Sequence, residues 1–108
     1  MRILKYLQSR VDLALEIAAV DASSREDMEG VIRAVKRPLE GCVLLSVVLS
    51  DGMFTSLTEE AFERVFPPKI DAFHVLENAM DIGSLDFFVT FSSVCGLFGN
   101  AGQTNYAA

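Results

Sequence analysis

Residues 86–108 read DFFVTFSSVCGLFGNAGQTNYAA, and this stretch decides how the rest of the chain is interpreted. It begins with an apolar run over 86–91, continues through a loop of small residues from Ser92 to Gly102, and ends on residues that favour a helix start. An apolar run without polar alternation is typical of a strand buried on both faces. We therefore predict a strand, a loop and a helix, in that order.

Two earlier apolar runs, 14–20 and 42–49, show the same lack of alternation and are predicted to be strands. Helical patterns lie over 2–10, 24–36, 58–66 and 67–82. Ser23 and Glu26 have the spacing of a capping box, which predicts a helix start near residue 24. Strands that alternate with helices indicate an α/β fold. We expect part of a doubly wound parallel sheet, with about three strands and flanking helices.

The composition excludes several classes of partner. The chain has 108 residues and a formal net charge of -6 at pH 7, and its basic residues are scattered, which argues against nucleic acid. No window approaches the roughly 20 apolar residues of a membrane span. Asp12 and Glu16 interrupt the N-terminal candidate for a signal segment, so we expect a cytoplasmic protein without a membrane partner. Two distant cysteines and one histidine predict no metal site.

Polar residues follow each predicted strand: Asp21 after the first, Asp51 after the second, and Ser92-Ser93 after the third. Ligands of parallel α/β sheets bind beyond the carboxyl ends of the strands. This edge of the sheet is therefore the expected place for a site.

Carbonyl reduction needs a hydride donor, an acid that protonates the oxygen, and a hydrogen-bond donor that holds it. Tyr106, Lys69 and Ser93 are suitable residue types, because a lysine cation favours the phenolate form of a nearby tyrosine. By residue type alone, a surface lysine, a loop serine and a helix tyrosine explain them better.

The local motifs around these residues resemble the ketoreductase domains of polyketide synthases and related multidomain synthases, in the short-chain dehydrogenase/reductase superfamily. In that family a strand ends in Ser-Ser, a Gly-Asn-x-Gly-Gln loop follows, and the catalytic tyrosine stands in Asn-Tyr-Ala. Here Ser93 precedes Tyr106 by 13 positions, as is usual in the family. The family lysine stands in a Pro-Lys-Val/Ile context, which Pro68-Lys69-Ile70 matches, and 24 positions separate Lys69 from Ser93.

The resemblance implies a Rossmann-like fold and NADPH-dependent reduction of a β-ketoacyl thioester to a β-hydroxyacyl thioester. Under it, Tyr106 donates the proton, Ser93 holds the carbonyl oxygen, and Lys69 tunes the tyrosine. Lys69 and Tyr106 also contact the cofactor, whose ribose Lys69 orients. The implied partners are an acyl-carrier-protein-bound β-ketoacyl substrate and the remainder of the synthase.

The resemblance also implies roles for three residues farther upstream. Asp21 and Ala22 stand where the family contacts the cofactor's adenine, although an acid that ends a strand before a capped helix explains Asp21 equally well. Asp51 stands in the loop near the acyl substrate, and an Asp51-Gly52 turn is the alternative.

We expect residues 1–108 to be a single partial ketoreductase domain. It lacks the Gly-rich cofactor turn upstream and the end of the catalytic helix downstream, so the isolated chain is expected to be inactive. The alternative is a non-catalytic structural half-domain or an inactive fragment of such a reductase.

Overall fold

Two parallel strands form the sheet in the computed structural model, which describes residues 2–108. Strand β1 (Gly41–Leu44) pairs with β2 (Phe87–Thr90), in a register that sets Gly41 opposite Phe87 and Leu44 opposite Thr90. Parallel neighbours need a crossover connection, and helices between β1 and β2 supply it. The predicted α/β fold with a parallel sheet and flanking helices is confirmed.

Six α-helices accompany the sheet among the described residues. They are α1 (Arg2–Gln8), α2 (Arg25–Ala34), α3 (Glu59–Glu63), α4 (Ile70–Ala79), α5 (Cys95–Phe98) and α6 (Thr104–Ala107). Helix α2 begins where the sequence predicts, but its cap is Ser24 rather than Ser23. The Ser24 hydroxyl accepts a hydrogen bond from the Asp27 backbone N–H at 3.3 Å, because Ser24 and Asp27 have the same three-residue spacing as Ser23 and Glu26.

The strand predicted over residues 14–20 is absent from the described structure, and the one predicted over 42–49 is shortened to β1. Residues 14–20 make no backbone ladder within the described part of the chain, and the Ile17 side chain is 61% exposed. A strand requires a partner that completes its hydrogen bonds, and apolar content alone does not supply one. The sheet therefore has two strands here instead of about three.

The core lies between the helices on one face of the sheet. Val65, Ala72 and Leu76 are the buried apolar residues of the described chain, and α2 packs on α4. The Phe73 ring of α4 meets the Phe88 ring of β2 edge-on, with centroids 5.9 Å apart. Strand side chains alternate between faces, so α4 covers the Phe88 face.

The opposite face of the sheet carries Val43 and Val89, which are 45% and 40% exposed. Within residues 2–108, no helix combines the length and the apolar character that crossing a membrane requires.

Candidate active site

A cleft of about 320 Å³ brings Lys69, Ser93 and Tyr106 together beyond the carboxyl end of β2. The three side chains come from three separate segments: the turn before α4, the loop after β2, and α6. The grouping that the sequence motifs predict is therefore present in the folded chain. The roles of the three residues stay predictions at this point.

Lys69 is held at the cleft by the end of the sheet. Its backbone N–H donates to the Phe66 carbonyl at 3.0 Å, within the turn that precedes α4. Its half-buried side chain reaches the carbonyl oxygen of Phe91, to which Nζ donates at 2.7 Å. Nζ also lies 5.8 Å from the centroid of the Tyr106 ring, within the range of a cation–π attraction.

Ser93 follows β2 and stands just before α5. Its hydroxyl oxygen accepts a hydrogen bond from the Cys95 backbone N–H at 3.2 Å. Among the described contacts Ser93 Oγ acts only as an acceptor, so its hydrogen is free to donate to an oxygen in the cleft.

Tyr106 lies in the short helix α6, directly after Asn105, whose side chain is buried. The preceding turn passes through Gly102, whose φ of 78° falls in the left-handed region that favours glycine. The Gly102 carbonyl accepts a hydrogen bond from the Gly52 N–H at 2.8 Å. This bond places the loop around Asp51 beside the loop that leads to Tyr106.

Asp51 is linked to the same region through Gln103. The side-chain Nε2 of Gln103 donates to both carboxylate oxygens of Asp51, at 3.1 Å each. Gln103 and Asn105 belong to the Gly-Asn-x-Gly-Gln and Asn-Tyr-Ala motifs, but the sequence predicts no role for either residue. Only the fold shows that their partners lie in the segment 50–61.

Asp21 and Ala22 do not line the cleft of Tyr106. They line a second, larger cleft of about 830 Å³, which also includes Ser46 and Arg64. The Ser23 hydroxyl and backbone N–H both donate to Asp21 Oδ1, at 2.7 and 2.9 Å, and these bonds hold the pKa of the Asp21 carboxyl below its ordinary value.

A third cleft, of about 310 Å³, adjoins both of the others. It shares Ser46 with the Asp21 cleft, and Lys69 and Ser92 with the Tyr106 cleft. The Ser46 hydroxyl donates to the Pro68 carbonyl, which fixes the wall at the junction.

The family model described as "KR domain" matches residues 2–108, almost the whole chain. The chain belongs to the ketoreductase family. The resemblance found in its sequence motifs is confirmed.

Relatives of this ketoreductase chain are polyketide synthases. "Highly reducing polyketide synthase stpks1" from Strobilurus tenacellus is 42% identical over 104 residues, which cover 96% of this chain and 4% of the relative. "Highly reducing polyketide synthase resH" from Aspergillus sclerotiorum is 39% identical over 97 residues, which cover 90% of this chain and 4% of the relative. The ketoreductase chain thus spans a small part of the synthases that it matches.

Solved ketoreductase structures match its fold. An N-terminal ketoreductase from the macrolactin assembly line superposes with a TM-score of 0.77 at 33% identity, over 87% of this chain and 20% of that one. A-type ketoreductases from a modular polyketide synthase give a TM-score of 0.81 at 30% identity, over 88% of this chain and 21% of the other. The two-stranded unit therefore matches part of a Rossmann-like ketoreductase fold. Ketoreductase domains of the short-chain dehydrogenase/reductase superfamily are typically NAD(P)H-dependent.

Proposed function

We propose that this ketoreductase chain supplies the proton-donating part of an active site that reduces a β-ketoacyl thioester to a β-hydroxyacyl thioester with NADPH. One observation carries the proposal: Lys69, Ser93 and Tyr106 line one cleft. In the sequence, 24 positions separate Lys69 from Ser93 and 13 separate Ser93 from Tyr106. Ketoreductase domains of polyketide synthases reduce β-keto groups, which supplies the reaction class.

In this proposal Tyr106 gives its phenolic proton to the carbonyl oxygen as that oxygen gains negative charge. Ser93 donates its hydroxyl hydrogen to the same oxygen and so holds the carbonyl in place. One N–H of the Lys69 ammonium donates to the Phe91 carbonyl oxygen. The other two are available to donate to the ribose of the cofactor and to the developing phenolate. The positive charge of Lys69 would stabilise the negative charge that develops on Tyr106 as the proton is transferred.

NADPH would bind along the three adjoining clefts. Asp21 and Ala22 would hold its adenine end, and Lys69 and Tyr106 would contact the end nearer the reaction. When bound, NADPH supplies the hydride. The lining residues that neighbouring clefts share, Ser46, Lys69 and Ser92, support this arrangement.

The substrate is carried on the phosphopantetheine arm of an acyl carrier protein, and the other partners are the remaining domains of a synthase. The large polyketide synthases among the relatives support this context. The loop of Asp51 borders the substrate, because Gln103 and Gly102 tie it to the segment that carries Tyr106.

We further propose that residues 1–108 form part of one ketoreductase domain and are inactive alone. The chain spans about a fifth of the solved ketoreductases that it matches. Its described core holds only three buried apolar residues, too few to stabilise an enzyme unaided.

The test uses the longest polypeptide in which this chain is expressed and follows NADPH oxidation with a β-ketoacyl thioester. Tyr106→Phe removes the acidic hydroxyl and should abolish turnover, while Tyr6→Phe, on the exposed helix α1, should leave it unchanged. Turnover that survives Tyr106→Phe would overturn the mechanism. A wild-type polypeptide that neither binds NADPH nor reduces the thioester would favour the structural half-domain instead.

A further inference from the structure

Asn105 is the buried polar side chain of the described chain, with 1% of its surface exposed. Burying an amide is unfavourable unless its hydrogen-bonding groups find partners. Asn105 lies directly before Tyr106 in α6 and borders the same cleft. The hydrogen-bond partners of its side chain explain why it is buried there.

Both side-chain hydrogens of Asn105 are used by distant segments. Nδ2 donates to the carbonyl oxygen of Ser50 and to that of Ala61, at 2.9 Å each. Ser50 belongs to the loop of Asp51, and Ala61 lies inside α3. One side chain therefore joins α6 to two segments that are 55 and 44 positions away along the chain.

The remaining contact of the Asn105 side chain reaches the backbone of Tyr106. Oδ1 accepts the Tyr106 N–H at 3.0 Å. In the first turn of a helix the backbone N–H groups have no partner within the helix, so this bond satisfies a donor that α6 itself leaves open. A helix of four residues is also too short to keep its own position, so its orientation depends on such contacts.

We propose that Asn105 is a positioning residue that fixes Tyr106 against the substrate loop, so that the phenol points at the oxygen to be protonated. This inference rests on the proposed function of Tyr106. Asn105 acts through its neighbour and takes no part in the proton transfer, because its two donors are already occupied by Ser50 and Ala61. Reacting groups that are misplaced by about 1 Å lose roughly a hundredfold in rate.

The test compares Asn105→Ala and Asn105→Asp with the wild type in the polypeptide used above. Asn105→Ala should lower kcat by about 10- to 100-fold. The Kd of NADPH should change far less, because only the Tyr106 contact is disturbed while Lys69 and the Asp21 cleft are unchanged. A variant that merely loses its fold would lose both. Asn78→Ala is the matched control, since the exposed Asn78 donates only to His74 in its own helix, and it should leave kcat unchanged.

Asn105→Asp adds a pH readout. Its carboxylate cannot donate to the Ser50 and Ala61 carbonyls, whereas the protonated acid donates one hydrogen. The kcat of this variant relative to wild type should therefore rise as the pH is lowered. Wild-type kcat values in both variants would overturn the inference, and so would a flat ratio across pH.

A measurement on the wild type covers the case in which neither variant folds. Hydrogen exchange at the Tyr106 amide should be slowed by its bond to Asn105, and exchange as fast as in an unstructured peptide overturns the inference. The Tyr106→Phe result separates the two hypotheses. If Tyr106→Phe is inactive while the Asn105 variants are fully active, the proposed function stands and the positioning role fails.

Discussion

The ammonium of Lys69 donates to the carbonyl oxygen of Phe91 at 2.7 Å, across 22 positions of sequence. Phe91 directly follows β2, so the end of the sheet aims the cation into the cleft. Nζ then lies 5.8 Å from the ring of Tyr106. The strand that ends in the serine pair thus also positions the lysine.

Removing this cation should lower the rate of reduction. We expect Lys69→Met to reduce kcat by about 10²- to 10⁴-fold, the usual contribution of proton-transfer catalysis, in steady-state assays of NADPH oxidation. Lys69→Arg should recover only part of the loss, because a planar guanidinium does not reproduce a compact ammonium. Lys36→Met, at an exposed position, is the control. Wild-type turnover in Lys69→Met would contradict the prediction.

The contact between Gln103 and Asp51 is expected to govern substrate binding. Gln103→Glu replaces the donor with a carboxylate beside Asp51, and the like charges should push the loop away from α6. Because Asp51 is exposed, we expect a modest rise in KM for the thioester, roughly fivefold. Gln8→Glu, on the exposed part of α1, is the matched control. An unchanged KM would show that the loop does not border the substrate.

The two candidate caps of α2 can be separated by substitution. Ser24→Ala removes the acceptor for the Asp27 N–H and should lower the free energy of unfolding by about 1 kcal/mol. The measurement is the urea midpoint, followed by circular dichroism, of the longest polypeptide in which this chain is expressed. Ser23→Ala leaves that bond intact and should lower the free energy of unfolding by less. An equal loss from both substitutions would mean that Ser24 is not the cap.

The pKa of the Asp21 carboxyl is expected to depend on Ser23. The hydroxyl of Ser23 donates to Asp21 and lowers its pKa, so Ser23→Ala should raise that pKa towards its ordinary value. A carboxyl with a lowered pKa adds stability above the unfolded-state value and loses it as the pH falls through the folded-state value. That window lies below about pH 4. Titration followed by the carboxyl carbon resonance of Asp21, in the wild type and in Ser23→Ala, tests the shift, and the same pKa in both would contradict the prediction.

Two glycines should respond in opposite ways to alanine. Gly30 is an exposed position of α2 with nothing within 4 Å of an added methyl group, so Gly30→Ala should stabilise the chain by about 0.5–1 kcal/mol. At Gly41 the methyl group would overlap the ring of Phe87 on the paired strand, so Gly41→Ala should destabilise it by about 1 kcal/mol. Urea midpoints of the two variants test the pair, and equal shifts would contradict the strand register.

Short motifs made the ketoreductase family and the grouping of three residues predictable. Ser93 and Tyr106 lie in one continuous stretch, and Lys69 stands in a recognisable tripeptide, so local sequence was sufficient. Fold class was predictable for a similar reason, since apolar runs alternate with helical patterns.

Features that depend on distant partners were not predictable. The run 14–20 has the composition of a strand but no partner in the described chain. Ser23 and Ser24 have equally suitable acids three positions later, and only the fold decides between them. Asn105 bonds to Ala61 and Ser50, which are 44 and 55 positions away in the sequence. No local sequence pattern reports contacts at such separations.

The hydrogen bonds of Asn105 and Gly102 also affect how the protein unfolds. They connect α6 to segments around Ser50 and Ala61, and Lys69 connects the turn before α4 to the end of β2. The cleft therefore depends on several segments that lie far apart in the sequence. Loss of the cleft is therefore expected to accompany the unfolding of any one of these segments.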